Sequence, residues 1–342
     1  MSEIVDKFFE ISKRNYKEIV FIATVSATVL LSNPNRETSY LETDKIQNTW
    51  IDAKKNNLIT NNNYIDSSKK DIILCFDDCL ELEKWRSSLE LSDRLSSITK
   101  KPAHFSYYIN SASVTKKPLG HSNNSIVKIP GTVDVRITLI QEAIDKGDDI
   151  GSHTVRHKHG RRWNENRWTA DLKEFDNTIA NDFHYNGKPY KSVGFRAPYL
   201  EYNNSLYEPL KKFGYLYDAS HPGDLLKEEN GLTLIGVPMY RMPNGKSILG
   251  MDYNWEKAKI SDATLEQMLN TELSEVFSDK NKIKYHNTTV PSAMIISLHF
   301  RDWKIGQKTY FEVVSKFLTT LAKTQQYNFI SMKEYVEIIN KK

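Results

Sequence analysis

Two adjacent aspartates, Asp77 and Asp78, close the apolar run Ile72 to Leu74 in the stretch DIILCFDDCLELEKW. Like charges at a strand end repel, and loss of water there makes the repulsion worse, so a positive partner is needed nearby. A candidate source is GSHTVRHKHG, where His153 and His157 are four residues apart; one helical turn would set both imidazoles on one side, able to grip a divalent cation. Two nitrogens do not make a site, because this spacing also arises by chance among surface and core histidines. Asp78 would complete a face of two imidazoles and one carboxylate with positions left open, the arrangement of a catalytic metal. The cation would also offset the acidic pair. His159 is a competing nitrogen, although its place beside Arg161 and Arg162 fits an exposed loop. Asp77 is then free to act on a water as general base, and strand alternation points the two carboxylates differently. The competing job for either aspartate is to cap the helix that follows.

Such residues must be held by elements distant in sequence. From Asp71 onward, short apolar runs alternate with stretches of helical period, the pattern of an α/β domain with a largely parallel sheet. Strands are expected near Ile72 to Phe76, His104 to Ile109, Asp149 to Ser152, Val193 to Arg196, Leu216 to Ala219, Ile235 to Pro238, Met294 to His299 and Asn328 to Ser331. Helices fit Glu81 to Ile98, Val133 to Lys146, Trp168 to Tyr185, Ser205 to Lys212, Ala263 to Phe277 and Lys308 to Lys323, and Pro222 to Met251 reads as inserted loops and short strands. This succession predicts a closed or nearly closed barrel, in which chemistry collects at the C-terminal strand ends. Asp77, Asp78, His153, His157, Arg196, Asp218 and His299 fall there.

The chain has 342 residues, 39% hydrophobic and 26% charged, with a formal net charge of +4. That composition is globular, and the absence of long basic blocks gives no charge signature of nucleic-acid binding, while a mildly basic surface could favour an anionic polymer. The two cysteines, Cys75 and Cys79, cannot form a disulfide scaffold and read as buried free thiols. Residues 1–70 read as an N-terminal extension with an Asn-rich linker. Within it, Ile19 to Leu31 is uncharged and mostly apolar over 13 residues, short for a membrane span and close to a signal-peptide core, so a signal, an anchor with membrane contact and a packed segment are all open. Residues 71–342 read as the catalytic domain.

The ordered run Phe76-Asp77-Asp78, His153-Thr154-x-x-His157, Arg196-Ala197-Pro198-Tyr199, Asp218-Ala219-Ser220 and Leu298-His299 resembles the polysaccharide deacetylase family with the NodB homology domain, carbohydrate esterase family 4. The resemblance covers roughly Asp71 to Asn340. It implies a distorted (β/α) barrel and a divalent metal, zinc first and Co²⁺, Ni²⁺ or Mn²⁺ as alternatives. It further implies removal of the acetyl group from an N-acetylglucosamine-type glycan: a chitin-like oligosaccharide, peptidoglycan or a surface polysaccharide. By the resemblance, Asp77 is the base, and Asp78, His153 and His157 are the metal ligands. Arg196 orients the base, the backbone N–H of Tyr199 donates to the oxyanion, Asp218 tunes the catalytic histidine, and His299 is that histidine, the general acid. Pro198, Tyr199 and Trp303 are the candidate substrate contacts. An envelope or exported location is expected, with a cytoplasmic one as the alternative. The chain departs from the pattern at Cys75 (usually Thr), Cys79 (usually Gly), His221 (near the usual Trp) and Ser297 (usually Leu). These departures leave room for two other readings, a catalytically impaired glycan-binding module and a metal-dependent amidase or esterase on a small molecule.

Overall fold

A computed structural model describes residues 65–115, 132–278, 283–286, 288–301, 303–305 and 308–341. The apolar stretch 19–31 and its linker lie outside the described residues, among which no helix is long and apolar enough to cross a membrane. The central sheet contains β1 (Lys70–Asp78), β2 (Ser106–Ile109), β3 (Asp149–Ser152), β4 (Gly194–Phe195), β5 (Tyr217–Pro222), β6 (Leu226–Glu229), β7 (Leu232–Val237), β8 (Ala293–His299) and β9 (Tyr327–Phe329). Their helices are α1 (Leu82–Thr99), α2 (Thr132–Lys146), α3 (Glu165–Asp182), α4 (Tyr207–Lys212), α5 (Asp252–Lys257), α6 (Asp262–Val276), α7 (Tyr310–Lys323) and α8 (Met332–Asn340).

Strand order is β8-β1-β2-β3-β4-β5-β7-β6, with β9 paired to the first residues of β1. Every pairing in this sheet is parallel except the β6–β7 hairpin. Parallel strands are covered on both faces, and β1 accordingly buries every residue after Lys70. The sheet curls without a hydrogen-bonded seam between β8 and β6 among the described residues. A single bridge from Met251 to Ser297 lies beside β8, and the Tyr240 hydroxyl donates to Ile295 O at 2.8 Å. The expected distorted barrel is thus present as a curled half-barrel.

Register decides which side chains meet. Asp77 lies opposite His299, Asp78 opposite Ile109, and Ser152 opposite Phe195, so the ends of β1, β3, β4 and β8 open on one rim. Packing holds that rim in place. Phe76 stacks on Tyr107 with ring centroids 5.1 Å apart and meets Phe300 edge-on at 5.2 Å; Trp85 of α1 stacks on Tyr107 at 4.5 Å. Phe76→Ala should therefore cost about 3–5 kcal/mol, read as a lowered urea midpoint at unchanged slope.

Both ends of α3 differ from the sequence reading for local reasons. The helix expected from Trp168 begins at Glu165, because the Asn164 side chain accepts from the Arg167 amide at 3.0 Å and caps it; its expected end, His184–Tyr185, belongs to a two-residue hairpin strand instead. Helix α8 was not anticipated. It lays Met332, Tyr335, Val336 and Ile339 into the same apolar cluster as Ile73, Cys75 and Tyr217. Cys75 and Cys79 are buried and free, as expected.

Candidate active site

Asp77 is buried at the end of β1, where Arg196 Nη1 donates to its Oδ1 at 2.9 Å. The guanidinium is wholly buried and over-determined: Nε donates to Ala219 O at 2.9 Å, Nη1 also reaches Ser297 Oγ at 3.2 Å, and its carbon lies 4.3 Å over the Tyr108 ring. Burial opposes its charge, but Asp77 together with Tyr108 and Cys75 outweighs burial and leaves the Arg196 pKa raised. Ser297 therefore has a function at the position where the sequence departs from Leu.

After Asp77 the backbone turns left-handed, with φ of 66° at Asp78 and 49° at Cys79. Left-handed backbone favours glycine and costs other residues roughly 1–2 kcal/mol, which explains why glycine is usual at the second position. The Cys79 thiol meets Phe76 O at 3.6 Å. The turn aims Asp78 at the histidines: Oδ1 is 3.1 Å from His157 Nε2 and 3.9 Å from His153 Nε2. Ligand atoms of Asp78, His153 and His157 all lie within 4.8 Å of one another.

The histidine spacing is realised by a turn and not by the helix expected from it. Thr154 and His157 have φ of 65° and 50°, and the Val155 amide donates to the Asp171 carboxylate at 3.1 Å. His153 Nδ1–H donates to Arg196 O at 2.8 Å, which fixes the tautomer and leaves the Nε2 lone pair toward Asp78. Burial, followed by the neighbouring His153, pushes the His157 pKa down to about 4. Burial likewise lowers His153. Asp78 is raised by burial but lowered further by His157 and His153, so it stays below the usual carboxylate range. Two neutral imidazoles and one carboxylate, with one nitrogen oriented from behind, are a donor set that suits a divalent cation. His159 stands apart, paired with Glu201 at 3.1 Å and stacked on Tyr199 at 4.1 Å.

His299, at the end of β8, donates from Nδ1 to Asp252 Oδ1 at 2.7 Å, and its backbone N–H donates to Asp252 Oδ2 at 2.9 Å. Burial disfavours its charge, but Asp252, with Asp77 and Asp78 beyond it, outweighs burial and raises its pKa to about 9. The carboxylate behind His299 is thus Asp252, and the expectation for Asp218 is corrected. Asp218 is committed elsewhere: Oδ1 accepts from the Ser220 amide at 3.1 Å and from the Ser220 hydroxyl, and Oδ2 faces His221 Nε2 at 3.4 Å. It organises the end of β5, where Ser220 Oγ accepts from the Ala197 amide at 2.7 Å and His221 Nδ1 shares a 2.6 Å hydrogen bond with the Tyr202 hydroxyl. These bonds grip both sides of the segment bearing Pro198 and Tyr199. Asp252 opens α5, in the sequence MDYNW just beyond the stretch read as loops, and an acidic residue in the first turn of a short helix was the available signal.

Asp77, Asp78, His153, His157 and His299 line one cavity of about 620 Å³, together with Tyr199, Leu200, Met251, Tyr253, Arg301 and Trp303. Tyr199, in left-handed backbone at φ 60°, is half-exposed. Trp303 lies 5.2 Å from the His299 ring and 5.7 Å from the exposed Tyr253. The structure therefore brings together Asp77, Asp78, His153, His157, Tyr199, His299 and Trp303 at the cavity, with Arg196 directly behind Asp77. It leaves Asp218 and the buried Pro198 outside the lining, adds Tyr253 and Arg301 to it, and sets Asp252 behind His299.

The curled α/β half-barrel thus gathers two carboxylates, an aspartate-paired histidine and a metal-type donor set on one strand-end rim. Residues 65–217 match the family model described as polysaccharide deacetylase. The fold agrees: a protein from Mycobacterium smegmatis described as a polysaccharide deacetylase superposes with a TM-score of 0.52 at 15% identity, over 81% of this chain and 92% of that one. Peptidoglycan deacetylase PdaC from Bacillus subtilis gives 0.46 at 12% identity over 81% and 95% of the two chains. A carbohydrate esterase family 4 pseudoenzyme from Bacillus anthracis gives 0.47 at 10% identity over 79% and 66%. No curated protein matches the chain in sequence.

Proposed function

We propose that residues 71–342 form the catalytic domain of a metal-dependent N-deacetylase that hydrolyses the acetamido group of an N-acetylglucosamine-type glycan, at the cell envelope or outside it. The observation that carries this reading is the pair of oppositely prepared proton carriers facing one cavity beside a metal-type donor set. Asp77 accepts a hydrogen bond from Arg196, and His299 is held as an imidazolium by Asp252. Asp78, His153 and His157 would hold a divalent cation, zinc first, which when bound would supply Lewis acidity toward the amide and the attacking water.

The chain's own residues supply the rest. Asp77 accepts the proton of the attacking water, with Arg196 fixing its orientation. The Tyr199 backbone N–H, presented by the left-handed turn after Pro198, stabilises the tetrahedral oxyanion. His299 Nε2 gives a proton to the departing amine, and Asp252 holds the ring and its charge. Trp303 and Tyr253 offer apolar faces on which a sugar ring can stack. Acetate release from acetylated chito-oligosaccharides, peptidoglycan and related glycans, with and without chelator, tests the reading, alongside metal analysis of the parent and Asp78→Ala. Release abolished by chelator and metal lost in the variant are expected; chelator-insensitive release, or none from any acetylated glycan, overturns it.

A further inference from the structure

Arg301 has no part in the chemistry derived above, yet its guanidinium lines the cavity. Its side chain is 42% exposed, and the carboxylate oxygen it faces, Asp78 Oδ2, is 3.6 Å away, outside hydrogen-bond range. Of the other acidic groups at this site, Asp77 is matched by Arg196 and Asp252 by His299. Asp78 alone is left to a divalent cation, so a guanidinium beside it is a surplus positive charge. Two cations so placed repel, and the arrangement becomes favourable when an anion joins them. Arg161 and Arg162 are exposed, on a loop tied to the Tyr199 segment by Asn203 Nδ2, which donates to Arg161 O at 3.0 Å and to Trp163 O at 2.8 Å.

We infer that Arg301 selects an anionic glycan, one in which a carboxylate or phosphate lies next to the acetamido group being hydrolysed. Guanidinium geometry suits both anions, because its parallel N–H groups can meet two oxygens at once. The inference rests on the deacetylase reading and names the substrate class of the same site. A charge-assisted contact of this kind corresponds to about 10- to 100-fold in affinity.

The test uses the full chain loaded with zinc and matched N-acetylated oligosaccharides that are neutral, carboxylated or phosphorylated. The parent should show a kcat/KM about 10- to 100-fold higher on one anionic series than on the neutral one, and which series gains tells carboxylate from phosphate. In Arg301→Gln the ratio should fall toward unity, and in Arg301→Lys, which keeps charge without the planar fork, it should be intermediate. Calorimetric binding of the same sugars to Asp77→Asn gives the ratio without turnover. Equal use of all three series by the parent, or a preference that survives in Arg301→Gln, overturns the inference. Turnover of the neutral sugar by the parent shows in either case that the deacetylase reading stands.

Discussion

Asp77→Asn should lower kcat by about 10²- to 10⁴-fold, the range for losing a positioned general base, while zinc content stays near that of the parent. The amide keeps the shape of the carboxylate and an oxygen that can accept from Arg196, but it cannot take a proton. Metal retention follows because Asp77 is outside the ligand cluster, which is Asp78, His153 and His157. The substitution also strips the counter-charge from a wholly buried guanidinium. Removing one partner of such a pair costs on the order of 3 kcal/mol, so the melting temperature should fall as well. The two effects separate in a single experiment: residual activity measured well below the melting point reports chemistry, and the thermal shift reports the unpaired arginine. A variant that keeps more than a tenth of the parent kcat would remove Asp77 from the role of base.

Much of this site could be read from the chain because parallel strands deliver their ends to one rim. Once β1, β3, β4 and β8 are located by their apolar runs, Asp77, Asp78, His153, Arg196 and His299 have nowhere else to go. β3 shows how local that signal is, since Asp149 to Ser152 is delimited by composition alone. The backbone turns were not legible in the same way. Nothing in the periodicity announces that Asp78, Cys79, Thr154, His157 and Tyr199 would all be left-handed, because their conformations are imposed by what they must face. A His-x-x-x-His spacing serves a helix and a two-turn loop equally well. Helix α8 did carry a sequence sign, Ser331 followed three residues later by Glu334, and the structure shows both halves of that capping box.

The misplaced acid has a different origin. Asp218 and Asp252 are both carboxylates upstream of His299, and chain order alone cannot choose between them. Sheet order can. Asp218 is on β5, separated from β8 by β1, β2, β3 and β4 along the hydrogen-bonded path, whereas Met251 bridges directly to Ser297 on β8 and delivers Asp252 to His299. The bridge involves one residue outside any regular strand, too small a feature to leave a pattern in the sequence.

Asp252→Asn is the decisive test of that reassignment, through the pH profile and not only through rate. In the proposed mechanism His299 acts as an acid, so it works while protonated and fails as pH rises through its pKa. With Asp252 in place that pKa is raised to about 9, and the alkaline limb of kcat/KM in the parent should fall well above neutrality. Asparagine removes the largest opposing charge and leaves burial, which lowers an imidazole pKa. The alkaline limb should then move to lower pH, and at pH 8 the variant should retain a small fraction of parent activity, recovering partly as the solution is acidified. Asp218→Asn gives the contrasting result. It disturbs Ser220, His221 and the segment through Tyr202, so kcat or KM should change while the alkaline limb stays where it was. If Asp218→Asn moved the limb and Asp252→Asn did not, the acid behind His299 would be Asp218 after all, and the hydrogen bond seen at 2.7 Å would be a structural contact without a part in proton transfer.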